Sequence, residues 1–476
     1  MTESAPLATV ETGLKRRVLA NVEVFGQSIA GIGPVLDIVA VSPLIVLFAG
    51  YGAWITVLIT TIAVLSIGTC LVLVAREHVS SGGMYNLVPQ GLGPAAGLIT
   101  GLTMLLAVTV AGAFLLFGIG LAIASFFAAV NIAVLSSGTI FVIELIVLAI
   151  VAMVSLRSIT LSTNLMLALE AISALIILAI FILILVRHSG GIIDSRQLTL
   201  KGASLHGVII GGVFLILDFG GFESSASLGL EARKPRRAVP LAVLGSVAVV
   251  GLFLMVGTYI QVLGFKGLHM SLVKQTAPLA VLAAHFGAGW LGNIITVGVI
   301  ISFFSCSTAW LNYGSRLVFT MSSDGVLPRR FKSVLQRSGA PRNAIVALII
   351  IYLGIITYVY VAGVSISNAF ADTGTLLGYT YSFFYILMVI AAPVWAWRRK
   401  KLGPLVVIAS IVSLLALFGL YYYSFVPFPS FPNDALLIGF CCFAFVVVVV
   451  SITIQFVRPQ LLARIGTTQE AGETIS

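Results

Sequence analysis

Apolar runs separated by short polar stretches recur along the whole chain. They occupy residues 22–48, 53–75, 95–128, 138–156, 162–186 and 206–228, then 239–264, 291–321, 344–361, 369–396, 404–423 and 435–457. A helix of about 20 apolar residues crosses the hydrocarbon core of a bilayer. The pattern therefore predicts an all-α integral membrane protein of about twelve transmembrane helices. The third and eighth runs exceed the required length, so those helices are expected to tilt or project. The longest polar stretches (187–205, 266–289 and 322–342) are loop-sized and leave no room for a soluble domain. Residues 276–286 could hold a short helix over the outer face.

Composition agrees with that class. Hydrophobic residues make up 59% of the chain and charged residues 9%, against about 25% charged in a soluble domain. Residues 1–12 are polar and acidic, and no short apolar stretch ends in a small-residue cleavage site, so no cleavable signal is expected. The formal charge of +10 would suggest nucleic acid in a soluble protein, but here it follows topology. With alternating loops and a cytoplasmic N-terminus, the outer side receives Arg187, Arg196, Lys201, Lys266 and Lys274. The other 21 of 26 Lys and Arg face the cytoplasm. That asymmetry satisfies the positive-inside rule. It predicts cytoplasmic tails at 1–21 and 458–476, in a multi-pass protein of the cell membrane whose partners include the bilayer and no nucleic acid. The basic runs around Arg236 and Arg398 read as topology determinants and headgroup contacts.

Glycine and proline inside apolar spans carry the functional signal, because unwound backbone at membrane depth must be buried in protein or line a wet cavity. The first span holds Ser28, Ala30, Gly31, Ile32, Gly33 and Pro34, then Asp37. Pro34 lacks an amide and disfavours helix at Gly33. The sixth holds Asp218, Phe219, Gly220, Gly221, Phe222 and Glu223, a poor and costly helix. The two interruptions occupy matching positions of two five-span halves, 22–186 and 206–396, with 404–457 following as two further helices. Such a pair points to a transporter site between inverted repeats. Amides freed at Gly31 and Gly33 could hold a carboxylate, and carbonyls freed around residues 219–221 could hold an ammonium. Phe219 and Phe222 could close over the side chain of a bound amino acid.

Three stretches, the first of them the end of the sixth span with its following loop, resemble the amino acid–polyamine–organocation superfamily of permeases. They are Gly221 to Pro240, including Glu231 and Pro235; Ser81-Gly-Gly-Met-Tyr85 with Gly91, Gly93 and Pro94; and Arg316 to Pro328 with Ala340-Pro341 beyond. The match runs from the first span to at least Pro341. It implies a LeuT-type five-plus-five inverted repeat with helices 1 and 6 broken, and secondary transport of amino acids, polyamines or similar amines. The substrate site it implies is carried over to residues 28–34 and 219–223. The chain departs from the pattern at Leu230-Glu231, where relatives often have two adjacent acids, and in having Asp37 and Asp218. The loop at 81–93, with Tyr85, corresponds to a cytoplasmic gate or structural turn.

Ionisable residues at membrane depth are functional hypotheses by default. Glu223, within the sixth-span break, is the first candidate for coupling the substrate to proton movement, against a capping role for loose amides. Glu170 lies mid-span where some proton-coupled relatives have a lysine, and could take and release a proton or merely hydrogen-bond. Asp372 and Glu144 adjoin no break and read as structural. Asp37 and Asp218 favour a cationic ligand such as a diamine or basic amino acid, unless one stays protonated. Secondary active transport of amino acids or amines, by proton symport or exchange, is therefore expected. The alternatives are a dedicated polyamine or basic amino acid carrier, a channel, or a non-transporting solute sensor. A channel would want a repeated pore segment or a ring of one charge. The five histidines fall at loops or span edges, and the four cysteines (Cys70, Cys306, Cys441 and Cys442) lack ligand spacing. No enzyme, metal site or cofactor is expected.

Overall fold

The computed structural model describes residues 13–188, 190–275, 277–430 and 433–467. Most of the tail beyond 466 and the acidic residues 1–12 lie outside the described residues. Among the described residues, twelve helices are long and apolar enough to cross a membrane. They are α1 (Asn21–Ala40), α2 (Ala53–Ala75), α3 (Pro94–Ala129), α4 (Ser137–Ser155), α5 (Ile159–Arg187) and α6 (Leu205–Leu228). Then come α7 (Pro235–Gly264), α8 (Trp290–Ser323), α9 (Arg342–Val361), α10 (Ile366–Arg398), α11 (Pro404–Phe425) and α12 (Asn433–Val457). Large apolar side chains such as Leu175, Val186, Leu415, Phe445 and Phe456 remain exposed on the outside of the bundle, which only lipid can cover.

Local chemistry sets the helix ends. Ser136, Ser158, Ser204 and Ser365 accept from amides in the first turns of α4, α5, α6 and α10, as good N-caps do. Proline opens α3, α7 and α11, where its missing amide costs nothing. The structure moves the start of α7 ahead of the expected 239. Pro240 lies inside the helix and Pro235 begins it. The short helix expected at 276–286 forms as Pro278–His285; Thr276 lies outside the described residues.

Packing divides the spans into two groups. Helices α1, α2, α6 and α7 pack on one another, and α3, α8 and α10 form a second group that also takes in α5 through α8. The two interrupted helices belong to the first group and face the second.

In α1, Gly33 is the sole non-helical residue between Asn21–Ile32 and Pro34–Ala40. It adopts φ 77° and ψ 59°, the left-handed region that glycine enters without a Cβ penalty. In α6, α-helix ends at Asp218 and a 3₁₀ segment covers Phe222–Leu228, so Phe219, Gly220 and Gly221 form the gap. Glu223 thus sits in a tight 3₁₀ turn.

Candidate substrate site between the two breaks

The breaks meet backbone to backbone. A Cβ added to Gly31 would lie 2.7 Å from the Gly221 carbonyl oxygen, and one added to Gly221 would lie 2.4 Å from the Gly31 carbonyl oxygen. Reciprocal serine bonds stitch the contact together. Ser28 Oγ donates to the Phe222 carbonyl at 2.7 Å, and Ser224 Oγ donates to the Gln27 carbonyl at 3.2 Å.

At the first break, a backbone carbonyl is held from α8. Gly33 N still donates to Ile29 O at 3.0 Å, whereas Gly31 O receives Trp310 Nε1–H at 3.0 Å and Cys306 Sγ at 3.3 Å, both from α8. Trp310 stacks on Tyr381 of α10, with centroids 5.4 Å apart and planes 20° apart. Tyr381 lies against Gly220, where a Cβ would come within 2.1 Å of Cε2. The aromatic pair therefore spans both breaks.

Above this floor is a cavity of about 490 Å³. Its wall includes Gly31, Ile32 and Asp37 of α1, Asp218 and Gly220 of α6, Cys306 and Trp310 of α8, Phe370 and Tyr381 of α10, and Tyr423 of α11. It opens beside the α11–α12 connection, where Pro427, Pro429 and Asn433 reach its rim.

Of the residues expected to bind substrate, Gly31, Ile32, Asp37, Asp218 and Gly220 line this cavity, and Ser28, Ala30, Gly33, Phe219, Gly221 and Phe222 do not. Ser28 and Gly221 are engaged in the contact between breaks, and Gly33 shapes the turn. Ala30 packs with Met166 and Ala309. Phe219 and Phe222 are fully buried, and the Phe222 ring packs against Tyr385 at 5.5 Å, so neither ring covers the cavity. The reason is the tight 3₁₀ turn, which points residues 222–228 into the protein.

The candidate coupling acids lie behind the wall. Glu223 Oε2 accepts from Tyr385 OH at 2.8 Å and from Gly221 N at 3.1 Å. Glu170 Oε1 accepts from Ser302 Oγ of α8 at 2.9 Å. The other oxygen of each, Glu223 Oε1 and Glu170 Oε2, is buried without a hydrogen-bond partner. Glu144 lies against Gly120 of α3, away from both breaks.

The opposite face, which carries the described N-terminal segment, is closed. Glu231 pairs with Arg316 through Nε at 2.5 Å and Nη2 at 3.0 Å, with both side chains almost fully buried. Tyr85 OH donates to Asp324 Oδ2 at 2.9 Å. Residues 17–19 lie under this pair, with the amides of Val18 and Leu19 donating to Glu231 O and Arg233 N donating to Leu19 O.

Sequence reasoning missed Trp310, Tyr381, Tyr385 and Cys306. One signal was available. The stretch Ser302, Ser305, Cys306, Ser307, Thr308, Trp310, Asn312, Tyr313 and Ser315 is unusually polar for a membrane span, and all of it is buried.

Two broken helices thus meet at the floor of a cavity inside a bundle of membrane-spanning helices. The sequence matches the amino acid permease family over residues 23–465. The chain belongs to that family. Among similar proteins are the human cationic amino acid transporter 4, 28% identical over 49% of this chain and 35% of the relative, and the Arabidopsis thaliana vacuolar cationic amino acid transporter 2, 27% identical over 39% and 28%. The aromatic amino acid permease FywP of Lactococcus lactis is 24% identical over 51% of this chain and 55% of its own length. The chain thus spans between about a quarter and just over half of each of these relatives.

Proposed function

We propose that this permease is a secondary active carrier of amino acids or related amines in the cell membrane, coupled to protons and working by alternating access. The observation that carries the reading is the pair of opposed breaks at the floor of a cavity open on one face and closed by buried polar contacts on the other. The relatives named above transport amino acids by their names, and family membership supports the same cargo here. Substrate would rest on Gly31 and Gly220 beneath the Trp310–Tyr381 stack. A narrower cargo of basic amino acids or diamines is favoured by Asp37 and Asp218.

The distribution of 21 of 26 basic residues supports cytoplasmic termini and an outward-open cavity. A reporter fused at Ser338 should read cytoplasmic and one at Ser195 external. A cytoplasmic reading at Ser195 would reverse the orientation.

Glu223 and Glu170 are the coupling candidates, because each keeps a buried, unpartnered oxygen, one at the α6 break and one against α8. In proteoliposomes with an imposed pH gradient, Glu223→Gln or Glu170→Gln should abolish concentrative uptake while exchange of bound substrate survives. Undiminished accumulation in both variants would make these acids structural. Failure of the intact chain to accumulate any amino acid or amine would leave a sensor or channel instead.

A further inference from the structure

We propose that Asp37 and Asp218 form one cation subsite, in which a positively charged group of the ligand and a proton exchange places. This deepens the carrier reading and rests on it, naming the cargo as amino acids or amines with a positive charge beyond a single α-ammonium.

The two acids come from different broken helices, on the cavity side of both gaps, and line the same wall. Asp37 is 1% exposed, and its Oδ2 is buried without a hydrogen-bond partner. The pair interacts electrostatically, and Glu170 of α5, Cys306 of α8 and Tyr381 of α10 are the other titratable groups within range of Asp37. Tyr379 of α10 and Tyr423 of α11 complete the titratable groups on the cavity wall, and no Lys, Arg or His is among the described residues that form it.

Among the described residues of the wall, therefore, no cation neutralises the pair. Two carboxylates in a cavity walled by Leu115, Phe114 and Phe370 cannot both stay ionised without a counter-charge. The available neutralisers are a proton and a cationic ligand. An arriving ammonium or guanidinium takes over the second negative charge, and the displaced proton leaves by the open mouth. The charge at the pair is the same before and after. The apolar wall suits the methylene chain that carries such a group.

The test compares L-lysine with L-norleucine, which lacks the terminal ammonium, on the purified full chain in nanodiscs. Calorimetry in two buffers of different ionisation enthalpy counts the protons released. Lysine should bind at least about tenfold tighter, the scale of one modest charge interaction, release about one proton and tighten as pH rises. Norleucine should release none. Asp218→Asn and Asp37→Asn should each bring the ratio of lysine to norleucine affinity close to one. Equal affinities in the intact chain, lysine binding without proton release, or an unchanged ratio in Asp218→Asn would each overturn the subsite. If the asparagine variants lose norleucine as well, the proton count of the intact chain decides. Norleucine uptake without any lysine preference overturns the subsite alone, whereas uptake of neither overturns the carrier reading with it.

Discussion

The two sides of the paired breaks use polar groups in opposite ways. On the open side, Asp37 and Asp218 face a largely apolar cavity with no Lys, Arg or His among the described residues of its wall. On the closed side, Arg316 meets Glu231, Tyr85 meets Asp324, and Ser81 lies 2.9 Å from Thr320. An unmatched buried charge is tolerated only where a ligand or proton completes it. A matched one is a contact that must come apart when the floor moves. Removing one partner of a buried pair costs about 3–5 kcal/mol, enough to hold a closed face closed. On the proposed carrier reading, the open side would read the ligand and the other side would set the conformational balance.

The contact between breaks is the point where both sides join, and disturbing it should have the largest effect. Gly221 has φ 97° and faces Gly31 backbone with no flexible side chain to yield. Gly221→Ala adds the left-handed penalty of about 1–2 kcal/mol to a clash with main chain. Uptake should be abolished while helix content by circular dichroism is retained; normal uptake would disprove the backbone contact. Gly220→Ala should be milder, since it meets only the Tyr381 ring, and Tyr381→Leu in the same chain should restore part of the uptake.

Next in size is the closed face. Arg316→Met leaves Glu231 buried and uncompensated, so it should destabilise the chain more than Arg316→Met combined with Glu231→Met. Thermal unfolding of the two variants checks that order. Both should raise thiol labelling of a Ser28→Cys reporter from the terminal face. Unchanged labelling would mean that the ion pair does not hold that face closed.

The twelve spans were legible because apolar run length is a local property: the expected 95–128 became Pro94–Ala129 and 404–423 became Pro404–Phe425. The start of α7 was not, because Arg236 and Arg237 interrupt the apolar run although the helix already begins at Pro235. The breaks were legible for the same local reason, glycine and proline where helix is required. Their bonding was not. Gly33 N keeps its bond to Ile29 O, and the Gly31 carbonyl accepts from Trp310, nearly 280 positions on, which no local signal announces. Phe219 and Phe222 looked like a lid because sequence gives no side-chain direction through a 3₁₀ turn. Tyr381 and Tyr385 carry no periodic signal, and only tertiary packing joins them to Gly220 and Glu223.

The smallest expected effect concerns pH at the closed face. His78, in the turn after α2, is 8% exposed, and its Nε2 accepts from Trp395 Nε1 of α10 at 3.3 Å. The rings meet edge to face at 6.0 Å. Burial, aided by the Arg399 guanidinium, holds the imidazole below its ordinary range; Glu77 opposes this more weakly and is itself bonded to Lys401. Because the folded value lies below the unfolded one, the unfolded chain binds more protons between them. Stability is therefore complete above the ordinary value of about 6.5 and is lost as pH falls through it towards the folded value. Protonation would also set an imidazolium N–H against the indole N–H, losing one hydrogen bond worth about 1 kcal/mol. His78→Gln keeps an acceptor for Trp395 and removes the titration. Thermal unfolding between pH 7.5 and 5.5, a window about one unit either side of that value, should fall less steeply for His78→Gln than for the unmodified chain. Parallel profiles would mean that the His78–Trp395 contact survives protonation and that α2 and α10 are held together by packing alone.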